Sequence, residues 1–269
     1  MSKQVIAYDG EHLLSYAEYG RKEGRPILVQ HGLIASIEES HLFSRLIKAG
    51  MRVICPARPG YGTSSPRVMD NIAGWADIVS SLIEALDMAH FDVLGISSGA
   101  PYSYALGYKF PHKVQTVYIL SGTPALYDKH VQANWPYPLD PHADMAARQK
   151  LAHELFFAHV APADRAAPAV RDAMMNGGFG VAQDLHLRGR DWGFDLSEMT
   201  APVYMRHSKR DEAVPLAAAE ITAKLLPNCR LEVTETDVHF SDEVLDDFIK
   251  TSILARGERE KRPFPSPTQ

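Results

Sequence analysis

Four short stretches of the chain carry groups that could do chemistry together. Gly95-Ile-Ser-Ser-Gly99 fits the pattern G-x-S-x-G and lies where the apolar run 91–96 gives way to a helix-like run, 100–110. A serine on so tight a strand-to-helix turn is held in a strained backbone conformation with its hydroxyl presented as a nucleophile. A hydroxyl at its ordinary pKa is a weak nucleophile, so it needs a base and a group that orients the base. His239, in Val238-His-Phe-Ser241, is the candidate base for Ser97. Asp211, which follows a strand-like run and precedes Pro215, is the candidate orienting carboxylate; Glu212 is the less favoured neighbour. A lone loop histidine is usually a polar surface group, but the chain order Ser, Asp, His is one in which this constellation is known to assemble.

The fourth stretch is His31-Gly32-Leu33, directly after the apolar run 26–30. A turn there can aim a main-chain N–H beside Ser97. The N–H groups of Leu33 and Ser98 are the expected pair to hold a developing oxyanion, usually a large electrostatic contribution to acyl transfer. His31 reads as a hydrogen-bonded turn residue that shapes this loop.

These groups need a scaffold that brings them to one edge. Residues 6–8 and 13–19 read as strands around the Asp9-Gly10 turn, and 26–30, 52–57, 91–96 and 114–120 as further strands. Residues 36–48 read as a helix, with Ser36 and Glu39 spaced as a capping box and Gly50 as the stop. Within 70–87, Ile72, Trp75, Val79, Leu82, Ile83 and Leu86 fall on one helix face. Repeated strand-helix-strand units predict an α/β fold, a mostly parallel sheet with helices on both faces. The alternation stops at 124–195, where helix formers, aromatics and prolines replace strands, and resumes with a strand at 202–206, a helix at 215–226, a strand at 230–234 and a helix at 241–254. A long insertion of this kind predicts a helical cap. The expected division is therefore a core in two parts, 1–123 and 196–255, a cap at 124–195, and a polar, Pro-rich tail at 256–269 expected to be disordered.

Composition narrows the function. The net charge is −5 and no Lys or Arg run lines a helix, which excludes the electrostatic footprint of a nucleic-acid binder. Two cysteines, Cys55 and Cys229, give neither a disulfide framework nor a cysteine zinc site. The 12 histidines include no H-E-x-x-H, so no metal or other cofactor is expected. No run reaches the roughly 18 apolar residues of a membrane span and no signal core opens the chain. The expectation is a cytoplasmic protein with a small-molecule substrate, as monomer or homodimer. Asn176-Gly-Gly-Phe-Gly180 has no P-loop lysine and reads as a flexible cap loop; Arg188-Gly-Arg-Asp191 reads as a turn. The cap supplies Trp135, Tyr137, Phe156, Phe157, Met174, Met175, Phe179 and Trp192. Of these, Trp135, Phe156, Met175, Phe179 and Trp192 are the candidate substrate-binding residues, the alternative being that they form the cap's own core.

With the triad-like residues, the turn Ala57-Arg-Pro-Gly-Tyr-Gly-Thr-Ser64 and the ending Val238-His-Phe-Ser-Asp-Glu-Val-Leu245, the chain resembles the α/β-hydrolase superfamily over about residues 1–255. The resemblance implies an eight-stranded sheet with a helical cap after the sixth strand. It departs from the family at Ala57, where an Asp is usual, and at Val238, where Gly is frequent. The second is expected to narrow the space beside His239. A serine at position 97 sets the chain apart from the branches with an aspartate nucleophile. The activity implied is hydrolysis of a small or medium, largely apolar carboxylic ester through an acyl-enzyme. Lactone opening, C–C bond hydrolysis and amide or aminopeptide cleavage would use the same residues; a peptidase would also need a cap carboxylate such as Asp140, Asp144 or Glu154. A ligand-binding receptor that keeps the fold is the alternative of another class.

Overall fold

The computed structural model describes residues 3–140 and 142–256, so the expected tail lies outside the described residues from 257 on. Eight strands form one sheet: β1 (Gln4–Ala7), β2 (Leu13–Gly20), β3 (Pro26–Gln30), β4 (Arg52–Pro56), β5 (Phe91–Ile96), β6 (Val114–Leu120), β7 (Val203–Ser208) and β8 (Cys229–Thr234). Their spatial order is β1-β2-β4-β3-β5-β6-β7-β8. β2 runs antiparallel to both its neighbours, and every pair from β4 through β8 is parallel. Parallel strands need crossovers, and here these are α1 (Ser44–Lys48), α2 (Gly74–Ala85), α3 (Ala100–Lys109), and, after the inserted α4 (Lys129–Gln132), α5 (Met145–Ala152) and α6 (Pro168–Leu187), the helix α7 (Leu216–Leu225). α8 (Asp242–Phe248) closes the fold and continues as a wider turn over Ile249–Leu254.

Strand side chains alternate between two cores, as a two-residue repeat requires. Leu28, Ile54, Val93 and Ile119 pack with α2, α3 and α7 on one face. Ile27, Val29, Val53, Leu94 and Leu120 pack with α1 and α8 on the other. α2 buries Trp75, Ile78, Val79, Leu82 and Ile83, and the Trp75 indole donates to the Gln30 side chain at 2.7 Å, so its one polar atom is satisfied inside the core.

One expectation needs correction, and a second is narrowed. The helix expected over 36–48 is only a 3₁₀ turn, Ser40–Phe43, running into the five-residue α1. The capping contact forms, with the Ser36 N–H donating to Glu39 Oε2 at 3.2 Å, but Ser36 also donates its hydroxyl to Asp172 of α6 at 2.5 Å, so this stretch is shaped by the insertion rather than by helix propensity. The loop expected at 176–180 is a short non-helical break at 175–178 that joins two helical segments of α6; Asn176, Gly177 and Gly178 take φ of 55°, 66° and 72°, and Asn176 donates to the Gly60 carbonyl at 3.1 Å. Two consecutive glycines make that left-handed path accessible.

Candidate active site

In an open α/β sheet, ligands gather at the carboxyl ends of the strands, where the order reverses. Here the reversal falls between β3 and β5, which pair in parallel with Gln30 opposite Gly95. The loop after β3, His31-Gly32-Leu33, therefore lies against the turn after β5 that carries Ser97. Ser97 has φ +50°, an unfavourable value for a non-glycine residue. The surroundings enforce it: a Cβ on Gly99 would overlap the Gln30 carbonyl, and one on Gly95 would overlap the Ser103 hydroxyl. Strand and helix thus approach more closely than any side chain at these positions would permit.

The other two groups arrive from the far end of the sheet. Asp211 follows β7 and His239 follows β8, and the two loops are stitched by Ser208, which donates to the Val238 carbonyl at 2.6 Å. The Ser97 hydroxyl lies 2.9 Å from His239 Nε2, and His239 Nδ1 lies 2.8 Å from Asp211 Oδ2. Asp211 is buried, which by itself pushes its pKa up, but hydrogen bonds from His239 and the Val214 N–H together outweigh burial and hold the carboxyl below its ordinary range. Its other oxygen, Oδ1, accepts the N–H groups of Ala213 and Val214, each at 2.9 Å. An ionised carboxylate only accepts, so His239 carries its proton on Nδ1 and leaves Nε2 free to take the serine proton. Glu212 plays no part in this line; its carbonyl accepts the Tyr137 hydroxyl at 2.8 Å. Beneath Asp211, the buried His207 donates from Nε2 to the Val214 carbonyl at 2.8 Å, and burial lowers its pKa.

The β3 loop is held by a buried network that the sequence did not reveal. Arg58 forks onto Asp184 at 2.7 and 3.2 Å, donates to the carbonyls of His31 and Gly32 at 2.7 and 2.9 Å, and presents its own N–H to His31 Nε2 at 3.2 Å. Tyr61 and Tyr102 donate to the same Asp184 carboxylate at 2.9 and 2.6 Å, and Tyr61 also reaches the Leu33 carbonyl at 2.9 Å. Burial, reinforced by the Arg58 charge, depresses the His31 pKa well below its usual value, so His31 is neutral and structural. Arg58 and Asp184 stand 126 residues apart, and no local pattern links them.

Ser97, His239, Leu33 and Ser98 all line one cavity of about 890 Å³, a size suited to a small organic molecule. Of the candidate substrate-binding residues, Trp135 and Phe156 line it; Met175, Phe179 and Trp192 do not. Trp192 is fully buried in the core, stacked near Tyr104, Tyr127 and Phe194. Phe179 packs at Gly60, and Met175 sits largely exposed in the α6 break. Val238 does not line the cavity either; its side chain is exposed and only its carbonyl is engaged, so it leaves the space beside His239 unchanged. Asp144 caps α5, Asp140 accepts the His142 N–H, and Glu154 lies exposed; none of the three reaches the cavity. Tyr137 and Arg188 are among the lining residues that the candidate substrate-binding set omitted. In the sequence Arg188 reads as part of a turn, and nothing in its neighbours signals a cavity. Among the described residues no cluster of three or more acidic, histidine or cysteine side chains could hold a metal ion, and no helix is long and apolar enough to cross a membrane.

The pattern that defines the alpha/beta hydrolase fold matches residues 25–242, and the chain belongs to that family. A pimeloyl-[acyl-carrier protein] methyl ester esterase of Aromatoleum aromaticum is 29% identical over 211 residues, which is 69% of this chain and 79% of that protein. An uncharacterized hydrolase, YcgS, of Bacillus subtilis is 31% identical over 118 residues, 44% of this chain and only 40% of that protein's length. Among solved structures, an esterase from Exiguobacterium antarcticum superposes with a TM-score of 0.73 at 19% identity, covering 97% of this chain and all of that one, a likeness of fold.

Proposed function

We propose that this protein hydrolyses carboxylic esters with a small or medium, largely apolar body, using Ser97 as nucleophile, His239 as general base and acid, and Asp211 as the orienting carboxylate. The observation that carries this reading is the unbroken hydrogen-bonded line Ser97–His239–Asp211 opening onto a mostly apolar cavity. Ser97 Oγ attacks the ester carbonyl carbon while His239 Nε2 takes its proton. The N–H groups of Leu33 and Ser98 hold the oxyanion. Collapse breaks the bond to the leaving oxygen, which departs as an alcohol with the proton from His239. A water then gives a proton to His239 and attacks the acyl-enzyme; the second collapse frees the acid and returns the proton to Ser97. No cofactor enters either step.

In this reading residues 124–195 are a cap that walls the cavity over the two-part core, 1–123 and 196–255. The esterase name of the A. aromaticum relative supports the same bond type. Cleavage next to a free amine is disfavoured, because Asp140, Asp144 and Glu154 lie away from the cavity and its cap-side charge is the cation Arg188. A panel of p-nitrophenyl esters, lactones and aminoacyl amides tests the proposal. The expected result is high kcat/KM for esters, abolished in Ser97→Ala; turnover confined to amides, or undiminished in the variant, overturns it.

A further inference from the structure

Arg188 ends α6 and borders a cavity whose walls are otherwise mainly apolar. Its Nε is buried with no hydrogen-bond partner, and among the described residues no ion pair reaches its guanidinium. Its guanidinium lies over the Trp135 ring, 5.6 Å from the centroid. Asp184, one turn earlier, is committed to Arg58. On balance the surroundings disfavour the charge: burial first, then the like charge of Arg148, lower the Arg188 pKa to about 10 against the opposing pull of Asp184, which still leaves it cationic at neutral pH. Arg148 itself donates to the Asp140 carbonyl. The cavity's other charged groups sit elsewhere and are engaged, Glu39 with the Ser36 N–H and His41 with Asp242 at the exposed mouth. Arg188 is thus a part-buried cation whose nearby carboxylate, Asp184, is already paired with Arg58, and such a group gains when an anion arrives to pair with it. A guanidinium fork matches the two oxygens of a carboxylate, and apolar walls strengthen the attraction.

We propose that Arg188 is the anion subsite of this cavity, and that the substrates are esters carrying a second, free carboxylate on the acyl or the alcohol side. The proposal rests on the ester-hydrolase reading and narrows it to a substrate class. Arg188 determines specificity; the chemical steps belong to Ser97, His239 and Asp211.

The experiment compares monoalkyl half-esters of dicarboxylic acids and O-acyl hydroxy acids with neutral esters of the same length. Wild type is expected to favour one carboxylate-bearing series in kcat/KM by at least about 10-fold, the range of a charge-assisted pair. In Arg188→Gln and Arg188→Met that ratio collapses toward one, chiefly through KM, and Arg188→Lys restores part of it. A wild type that treats charged and neutral esters alike overturns the proposal. So does a ratio that survives the substitutions while only Tm falls, the outcome of a merely structural arginine stacked on Trp135. Calorimetric binding of adipate and glutarate to wild type and Arg188→Gln separates the two readings. If no ester is turned over but a dicarboxylate binds at least tenfold more weakly to the variant, the anion subsite stands and the hydrolase reading fails. If neither dicarboxylate binds wild type and no half-ester is preferred, the subsite fails whatever the fate of the hydrolase reading.

Discussion

Asp184 of the inserted helix α6 holds the Arg58 guanidinium at 2.7 Å, both side chains almost wholly buried. Because Arg58 also grips the carbonyls of His31 and Gly32, one ion pair ties the insertion to the loop that faces Ser97. The pair therefore braces the inserted helix against the loop after β3. Burial opposes the Arg58 charge, and the Asp184 carboxylate more than offsets it, so Arg58 holds its proton more tightly than a free arginine.

Breaking the pair from one side leaves a buried charge uncompensated. Asp184→Asn is expected to cost about 3–5 kcal/mol in chemical denaturation. It should also lower kcat on a neutral ester, because the β3 loop loses its brace. The double variant Arg58→Met/Asp184→Leu, which removes both charges, should lose less stability than Asp184→Asn alone while kcat stays low.

The turn after β5 tolerates no added methyl. Gly99 has an ordinary φ of −74°, so Gly99→Ala is opposed not by backbone strain but by overlap with the Gln30 and His31 carbonyls. Overpacking of this kind costs about 1–3 kcal/mol. Displacing the loop after β3 should lower kcat more steeply than KM rises. A melting curve and steady-state kinetics on one preparation check both.

Phe156 and Trp192 separate cavity from core. Trp192→Ala removes a fully buried indole and is expected to cost about 3–5 kcal/mol. Phe156→Ala, at the cavity wall, should raise KM for apolar esters severalfold while Tm shifts by far less than for Trp192→Ala. Paired thermal unfolding and kinetics on the two variants read the difference.

The acid limb of stability follows from His31. Its folded-state pKa is depressed by burial and by Arg58, whereas the unfolded chain binds a proton at about 6.5. The unfolded state therefore takes up more protons as pH falls below about 6.5, and stability drops there by at most about 1.4 kcal/mol per pH unit for this residue. His207, also depressed by burial, acts in the same direction. Denaturation between pH 8 and 5 should show a plateau that bends down below about 6.5. His31→Gln should be less stable at pH 8 but flatter through the bend.

What could be read in advance depended on how far apart the partners stand. The strands were legible because two-residue alternation and apolar runs are local, and the meeting of Ser97, Asp211 and His239 followed from each lying just past a strand of one parallel sheet. The α1 region was misjudged because the side chain that shapes Ser36 belongs to Asp172, 136 residues away. Trp192 and Phe156 look alike in sequence, and only the packing of Tyr104, Tyr127 and Phe194 around the indole distinguishes them. Arg188 was invisible for the same reason. A cation is ordinary at a helix end, and its meaning comes from the apolar walls that other elements place around it.

The central claim, that Ser97 is the nucleophile, is tested most directly by intact-mass and peptide mapping after exposure to a fluorophosphonate. One adduct on the Ser97 peptide in wild type, none in Ser97→Ala and much slower labelling in His239→Ala is the expected outcome. An adduct on another serine, or undiminished labelling of Ser97→Ala, would contradict the account.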